Sequence, residues 1–203
     1  MKAAMIATWD WGLEAVSEGV ARLKAGESAL DAVEAGIRLV EDDPKVLSVG
    51  LGGLPNLNGE VELDAAVMDG ESLKAGAVGA LKEIRHPISV ARKVMELTPH
   101  VLLVGEGALS FAQTCGFRRE QAWKPEAQER WRKSRAELDS TTKLHGQNDA
   151  YLDRIGEFSA KFPFPRPPAS CDTVSAVAID RREKLAAGNS TTRLFMKLSL
   201  IHI

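Results

Sequence analysis

The chain is poor in sulfur and aromatics and carries no surplus of charge. Two cysteines, Cys115 and Cys171, among 203 residues cannot build a disulfide framework. Neither lies in a C-x-x-C pair, so a reducing, cytoplasmic setting is expected. The four histidines, His86, His100, His145 and His202, are scattered without ligand spacing, which argues against a metal centre. A formal net charge of -2 leaves no basic footprint for nucleic acid or an anionic membrane. No apolar run approaches the roughly 20 residues that span a bilayer. The opening Met1-Lys-Ala-Ala-Met-Ile-Ala-Thr8 stops at Trp9-Asp10, too short for a signal peptide. A G-x-S-x-G elbow is absent, so nothing places a serine on a strand-to-helix turn. These absences leave a small molecule or another protein chain as the partner, with no cofactor expected.

At 44% hydrophobic, the chain is long enough for one sizeable core but hardly for two. Residues 3 to 8 read as a buried strand, followed by a turn and a helix with apolar spacing at Leu13, Val16, Val20 and Leu23. Ser28 with Asp31 forms a capping pair for a second helix through Leu30, Val33, Ile37 and Val40 to Asp43-Pro44. A loop dense in glycine runs from Val49 to Gly59, with Gly52, Gly53 and Pro55 read as shaping the turn. A strand alternating from Glu60 to Asp69 follows it rather than a helix, which disfavours phosphate binding. On that strand Glu62 and Asp64 share one face, read as solvated. Ala75 to Leu81 is its hairpin partner, Pro87 opens a helix, Val101 to Val104 is a buried strand, and Gly105 to Cys115 a short helix closed by Gly116. A charged segment with Trp123 and Trp131 on a possible helix ends in Phe162-Pro-Phe-Pro-Arg-Pro-Pro168, whose prolines exclude a central strand. Order returns at Thr173, where Thr173 to Asp180 and Leu185 to Thr192 read as two strands around a turn.

The residue with chemical potential is Thr173, because a strand that begins on a threonine can become a new N-terminus carrying its own nucleophile. Taken alone, such a threonine is mostly a β-branched residue in a sheet.

The surrounding pattern adds to that reading. Val49-Gly-Leu-Gly-Gly-Leu-Pro-Asn56, Gly59-Glu-Val-Glu-Leu-Asp-Ala65 and Met68-Asp-Gly70 resemble the N-terminal-nucleophile asparaginases, the family of glycosylasparaginase and isoaspartyl peptidase. The likeness continues through Val90-Ala-Arg92, Leu102-Leu-Val-Gly105 and Gly116-Phe117, and resumes at Asp172-Thr-Val174 and Ala186-Ala-Gly188 through Ser190-Thr191. Thr8-Trp9 looks more like the glycosylasparaginase branch than the plant-type one. The resemblance implies an α+β fold, a four-layer αββα sandwich, and a precursor that cuts itself between Asp172 and Thr173. Residues 1 to 117 would then be the α-subunit core, 118 to 171 a linker or flap, and 172 to 203 the cleavage site and the start of the β-subunit. It further implies that Thr173 is the nucleophile, Thr191 the second threonine that tunes it, Asp172 the residue that assists self-cleavage, and Trp9 a lining of the substrate pocket. The implied reaction releases aspartate from N4-(β-N-acetylglucosaminyl)-L-asparagine, L-asparagine or β-aspartyl peptides. The implied assembly is a homodimer of cleaved αβ units.

The chain departs from that pattern in places. Cys171 stands where family members usually have His, Ser175 where they have Gly, and Arg193 where a glycine is expected. The family's Gly-Arg-Val-Gly-Asp motif, which grips the α-carboxylate and α-amino groups of the substrate, is absent from Leu200 to Ile203. A truncated or frameshifted member is therefore expected, with a non-catalytic remnant or interaction protein of the same fold as the alternative.

Overall fold

The computed structural model describes residues 3–56, 58–120, 128–136 and 173–192. The α+β class expected from the sequence is the one found. The strands are β1 (Ala4–Ala7), β2 (Leu63–Asp69), β3 (Ala75–Leu81), β4 (Leu102–Val104), β5 (Val174–Ile179) and β6 (Leu185–Thr191). The helices are α1 (Gly12–Ala25), α2 (Ala29–Asp42), α3 (Pro87–Leu97) and α4 (Gly105–Thr114), and residues 128–136 are also helical. The six strands make one sheet in the order β1-β5-β6-β2-β3-β4. All neighbours are antiparallel except β3 and β4, whose parallel pairing is allowed by the α3 crossover between them. The hairpin β5-β6 inserts between β1 and β2, so segments more than a hundred residues apart in sequence become neighbours.

The helices cover one face of the sheet: α2 lies over β5 and β6, α3 over β2 and β3, and α1 packs on α2 and β1. Ser28 caps α2 in the expected reciprocal box, its hydroxyl accepting the Asp31 N–H at 3.1 Å while Asp31 accepts the Ser28 N–H at 3.2 Å. A cap of this kind contributes about 1 kcal/mol. Burial pushes the Asp31 carboxyl up, but hydrogen bonds from Ser28 and Arg92 outweigh it and hold the group below its ordinary value. Among the described residues no helix is long and apolar enough to cross a membrane.

Four expectations need correction. The first strand, expected to be buried, lies at one edge of the sheet, with Ala4 and Ile6 exposed and Met5 buried. The helix α1 is present, but its buried residues are Gly12, Ala15, Gly19 and Leu23, and Leu13 is exposed. The glycines leave the room that the contact needs: a side chain at Gly19 would meet the Met5 side chain at 2.0 Å and the Ala32 carbonyl oxygen at 3.1 Å, and one at Gly36 of α2 would meet the Ala15 carbonyl oxygen at 2.6 Å. The strand β4 is at the sheet edge, with Leu102 and Val104 more than half exposed rather than buried. Glu62 and Asp64 are buried rather than solvated. Asp64 fills an irregularity in the β2-β3 ladder, where Oδ1 accepts the N–H of Ala80 at 2.8 Å beside the positive φ of that residue.

The second face of the sheet carries Ile6, Val177, Ala187 and Met68 in one row, because Ile6 pairs with Val177, Val177 with Ala187, and Ala187 with Met68. Ile6 is 69% exposed and Met68 43%. The described residues therefore supply one helical layer and one sheet, the latter with an apolar face of the kind that packs on a second sheet in a sandwich.

Candidate active site

The site forms where β1 ends and β5 begins. The ladder between these strands runs to the pair Ala7–Ala176. It then continues through a side chain: the Thr8 N–H donates to the Ser175 carbonyl at 3.0 Å, and the Thr8 hydroxyl accepts the Ser175 N–H at 2.9 Å. The same hydroxyl donates to the Thr173 carbonyl at 3.1 Å, using both its donor and acceptor capacity.

Trp9 follows at φ 66°, a left-handed conformation that costs a bulky residue about 1–3 kcal/mol. The turn aims its indole N–H at the Thr173 carbonyl, 3.2 Å away. Trp9 also stacks on Trp11, with ring centroids 5.8 Å apart and planes at 28°, and its own ring stays 43% exposed. An exposed aromatic face beside a polar cluster can line a pocket for a small polar substrate.

Thr191 arrives from the other side. The pairing of Val174 with Ser190 makes Thr173 and Thr191 the next opposed positions at the end of the β5-β6 ladder. Thr191 is buried, and its hydroxyl donates to the Ser48 carbonyl at 3.3 Å. That carbonyl also accepts the Thr192 N–H at 2.6 Å. The loop carrying Ser48 is tied down at several points. Asn56 is fully buried and its Oδ1 accepts the N–H groups of Asn58 and Glu60 at 2.9 and 3.0 Å. Trp131, on the helical stretch 128–136, donates its indole N–H to the Asn56 carbonyl at 3.0 Å.

The structure thus brings Trp9, Thr173 and Thr191 together from three strand ends. Asp172 lies outside the described residues, as do Trp123 and the proline-rich segment. Two participants were not singled out from the sequence. Thr8 served there only as a mark of a family branch, yet its hydroxyl bridges the ends of β1 and β5. Ser48 contributes a main-chain carbonyl, a group every residue carries, so no side-chain pattern could have pointed to it.

The α+β class agrees with what the sequence resemblance implies, and the sheet sets Thr173 at the head of β5 opposite Thr191. The chain belongs to the asparaginase family, whose sequence profile matches residues 3–199. It is 50% identical over 131 residues to an N(4)-(Beta-N-acetylglucosaminyl)-L-asparaginase of Elizabethkingia miricola, covering 64% of this chain and 38% of the relative. It is 42% identical over 185 residues to a plant-type L-asparaginase of Pyrococcus horikoshii, covering 91% of this chain and 56% of the relative. An isoaspartyl peptidase/L-asparaginase of Mus musculus is 38% identical over 193 residues, with 91% and 53% covered. The chain spans about half the length of the curated relatives it matches.

Thr8→Val is expected to slow any chemistry at Thr173 by roughly ten- to a hundred-fold, because the bulk is kept while both hydrogen bonds of the hydroxyl are lost. The stability cost should be about 1–3 kcal/mol, as for two lost hydrogen bonds. Rates from time-resolved intact mass, set beside urea midpoints, separate the two effects, and Thr8→Ser should recover most of the rate.

Proposed function

We propose that this protein is a self-processing amidohydrolase with Thr173 as nucleophile, acting on the side-chain amide of asparagine derivatives. The observation that carries the reading is the meeting of Trp9, Thr173 and Thr191, with the Thr173 carbonyl held by two donors, Thr8 Oγ1 and Trp9 Nε1. The names of the relatives, glycosylasparaginase, L-asparaginase and isoaspartyl peptidase, support the substrate class.

In the processing step the Thr173 hydroxyl oxygen attacks the Asp172 carbonyl carbon. The bond from that carbon to the Thr173 nitrogen breaks, the nitrogen takes up a proton, and an ester joins Asp172 to Thr173 Oγ1. Water then hydrolyses the ester, leaving a carboxylate on Asp172 and a free amino group and hydroxyl on Thr173. An α-amino group ordinarily titrates at roughly 7.7 to 8.0, so near neutrality it can take the hydroxyl proton when Oγ1 attacks a substrate amide. Ammonia or a glycosylamine leaves, and water releases aspartate from the acyl-enzyme. Thr191 orients and polarises the nucleophile, Trp9 lines the pocket, and Asp172 assists the first cut.

In this reading residues 1–117 form the core of the α-subunit, 118–171 the connecting segment, and 172–203 the start of the β-subunit. The assembly is a homodimer of cleaved αβ units, and the small cysteine content suits the cytoplasm. One observation favours a second reading, a non-catalytic interaction protein: the apolar sheet face around Ile6, Val177 and Met68 is open to a partner. The discriminating experiment follows the intact mass of the purified chain and aspartate release from asparagine, glycosylated asparagine and a β-aspartyl peptide. Fragments meeting at Thr173 with aspartate release support the enzyme; an uncut chain that releases none supports the second reading.

A further inference from the structure

Glu41 is a fully buried carboxyl at the junction of α2, α3 and β6, and the reaction described above does not use it. Its Oε1 accepts the N–H of Ile88 in the first turn of α3 at 3.0 Å. Its Oε2 faces Nδ1 of His86, the residue that opens α3, at 3.4 Å. The Ser190 hydroxyl on β6 lies near enough to the same carboxyl to oppose its upward shift. Oε2, Nδ1 and the Ser190 hydroxyl are all buried, and none makes a well-formed hydrogen bond. A protonated Glu41 carboxyl can donate to His86 Nδ1 and accept from the Ser190 hydroxyl, which satisfies all three atoms at once.

Toward solvent, His86 Nε2 lies 3.6 Å from Asp42 Oδ1, Arg85 donates to that oxygen at 2.6 Å, and Glu120 is 3.7 Å from Arg85. The charged groups around the pair are therefore Asp42 from α2, Arg85 from the segment before α3, and Glu120 beyond α4. The strand β6 brings only the Ser190 hydroxyl. Ser190 directly precedes Thr191, and alternation along the strand turns one toward the helices and the other toward the opposite face. Whatever fixes Ser190 fixes the backbone that presents Thr191.

We propose that Glu41, paired with His86, is a positioning residue for the threonine site: its carboxyl bridges His86 Nδ1 and the Ser190 hydroxyl and so holds the end of β6 with Thr191 opposite Thr173. The proposal rests on the reading that Thr191 serves Thr173. Burial pushes the Glu41 carboxyl up, and the contacts to His86 and Ser190 oppose the shift without cancelling it. A carboxyl raised in the fold binds a proton that the unfolded chain has already lost, so the stabilisation is present at low pH and disappears as pH rises through the raised value. The brace is complete in the protonated state and loosens above it. Glu41→Gln keeps the shape and the acceptor for Ile88 and imitates the protonated state at every pH.

The test uses the full chain, with the amide chemical shifts of Ser190 and Thr191 and the self-cleavage rate followed against pH. The parent is expected to show one step in both, the rate falling roughly tenfold as pH rises. Glu41→Gln should remove the step and hold the rate at its low-pH level. A step that persists unchanged in Glu41→Gln, or no step in the parent, overturns the proposal. If the chain does not cut itself but the chemical-shift step is present and vanishes in Glu41→Gln, the brace stands and the reading of Thr173 as nucleophile falls. If the chain cuts itself with the same pH profile in both proteins, that reading stands and the positioning role falls. His86→Asn removes the contact that holds the Glu41 carboxyl down and should move the same step to higher pH, which keeps the test open should Glu41→Gln fail to fold.

Discussion

Thr173→Ala is expected to leave the chain as a single species near 22.0 kDa, while the parent yields two fragments that meet at Asp172 and Thr173. The hydroxyl is the only atom removed that could attack the preceding carbonyl, and alanine keeps the Cβ that packs at the head of β5. Thr173 is only partly buried, so its loss should move stability by well under the cost of a core cavity. A fall in cleavage of roughly a thousand-fold or more with an unchanged urea midpoint is the pattern of a lost nucleophile. Thr173→Ser, which keeps the hydroxyl and drops the methyl group, should still cut. Denatured intact mass over time measures all three proteins in one experiment. If parent and Thr173→Ala are both uncut, the threonine arrangement is present without the chemistry, and the open apolar sheet face becomes the better guide to function.

The elements that could be read from sequence are those in which the chain interacts with itself locally. The helix α2 was legible because Ser28, Asp31 and an apolar stripe at helical spacing all agree, and the β5-β6 hairpin because two alternating runs flank a polar turn. The buried face of α1 was not, because hydrophobic spacing weighs Leu13 and Val16 while the contact is made by Gly19 and Ala15, whose value lies in having no bulk. The exposure of β4 depends on its place at the end of the sheet, which only the strand order decides. Glu62 and Asp64 were misread because alternation predicts a face, and the irregularity that draws Asp64 onto Ala80 is a property of two strands together. At the site, Trp9, Thr173 and Thr191 were named from a family pattern, but their meeting follows from β5-β6 inserting beside β1. Thr8 and Ser48 act through bonds to main-chain groups of distant segments, and no spacing along the sequence encodes those partners.

Gly50→Ala is expected to be the most destabilising small substitution near the site, at about 3 kcal/mol, read as a lower urea midpoint with an unchanged slope. Gly50 has φ 54°, in the left-handed region where a side chain costs about 1–2 kcal/mol. A Cβ there would also sit 2.1 Å from the Glu41 carbonyl oxygen and 2.4 Å from its Cα, backbone atoms of α2 that cannot swing aside. The loop or the helix end must therefore move, and each carries part of the site. Two residues before Gly50, the Ser48 carbonyl receives Thr191 Oγ1 and the Thr192 N–H; three residues after it, Gly53 packs so tightly on Thr192 that a Cβ would meet its methyl group at 2.2 Å. Displacing the loop should loosen the end of β6, and displacing the helix should move Glu41 from Ser190. Self-cleavage is expected to fall in either case, by more than the loss of stability explains. Gly107→Ala is the matched control, because Gly107 lies inside α4 with nothing within 4 Å of an added Cβ. There the same change should be neutral or stabilising by up to about 1 kcal/mol through helix propensity, with no effect on cleavage. A similar loss of stability in both variants would mean that the contact between Gly50 and Glu41 does not fix the loop.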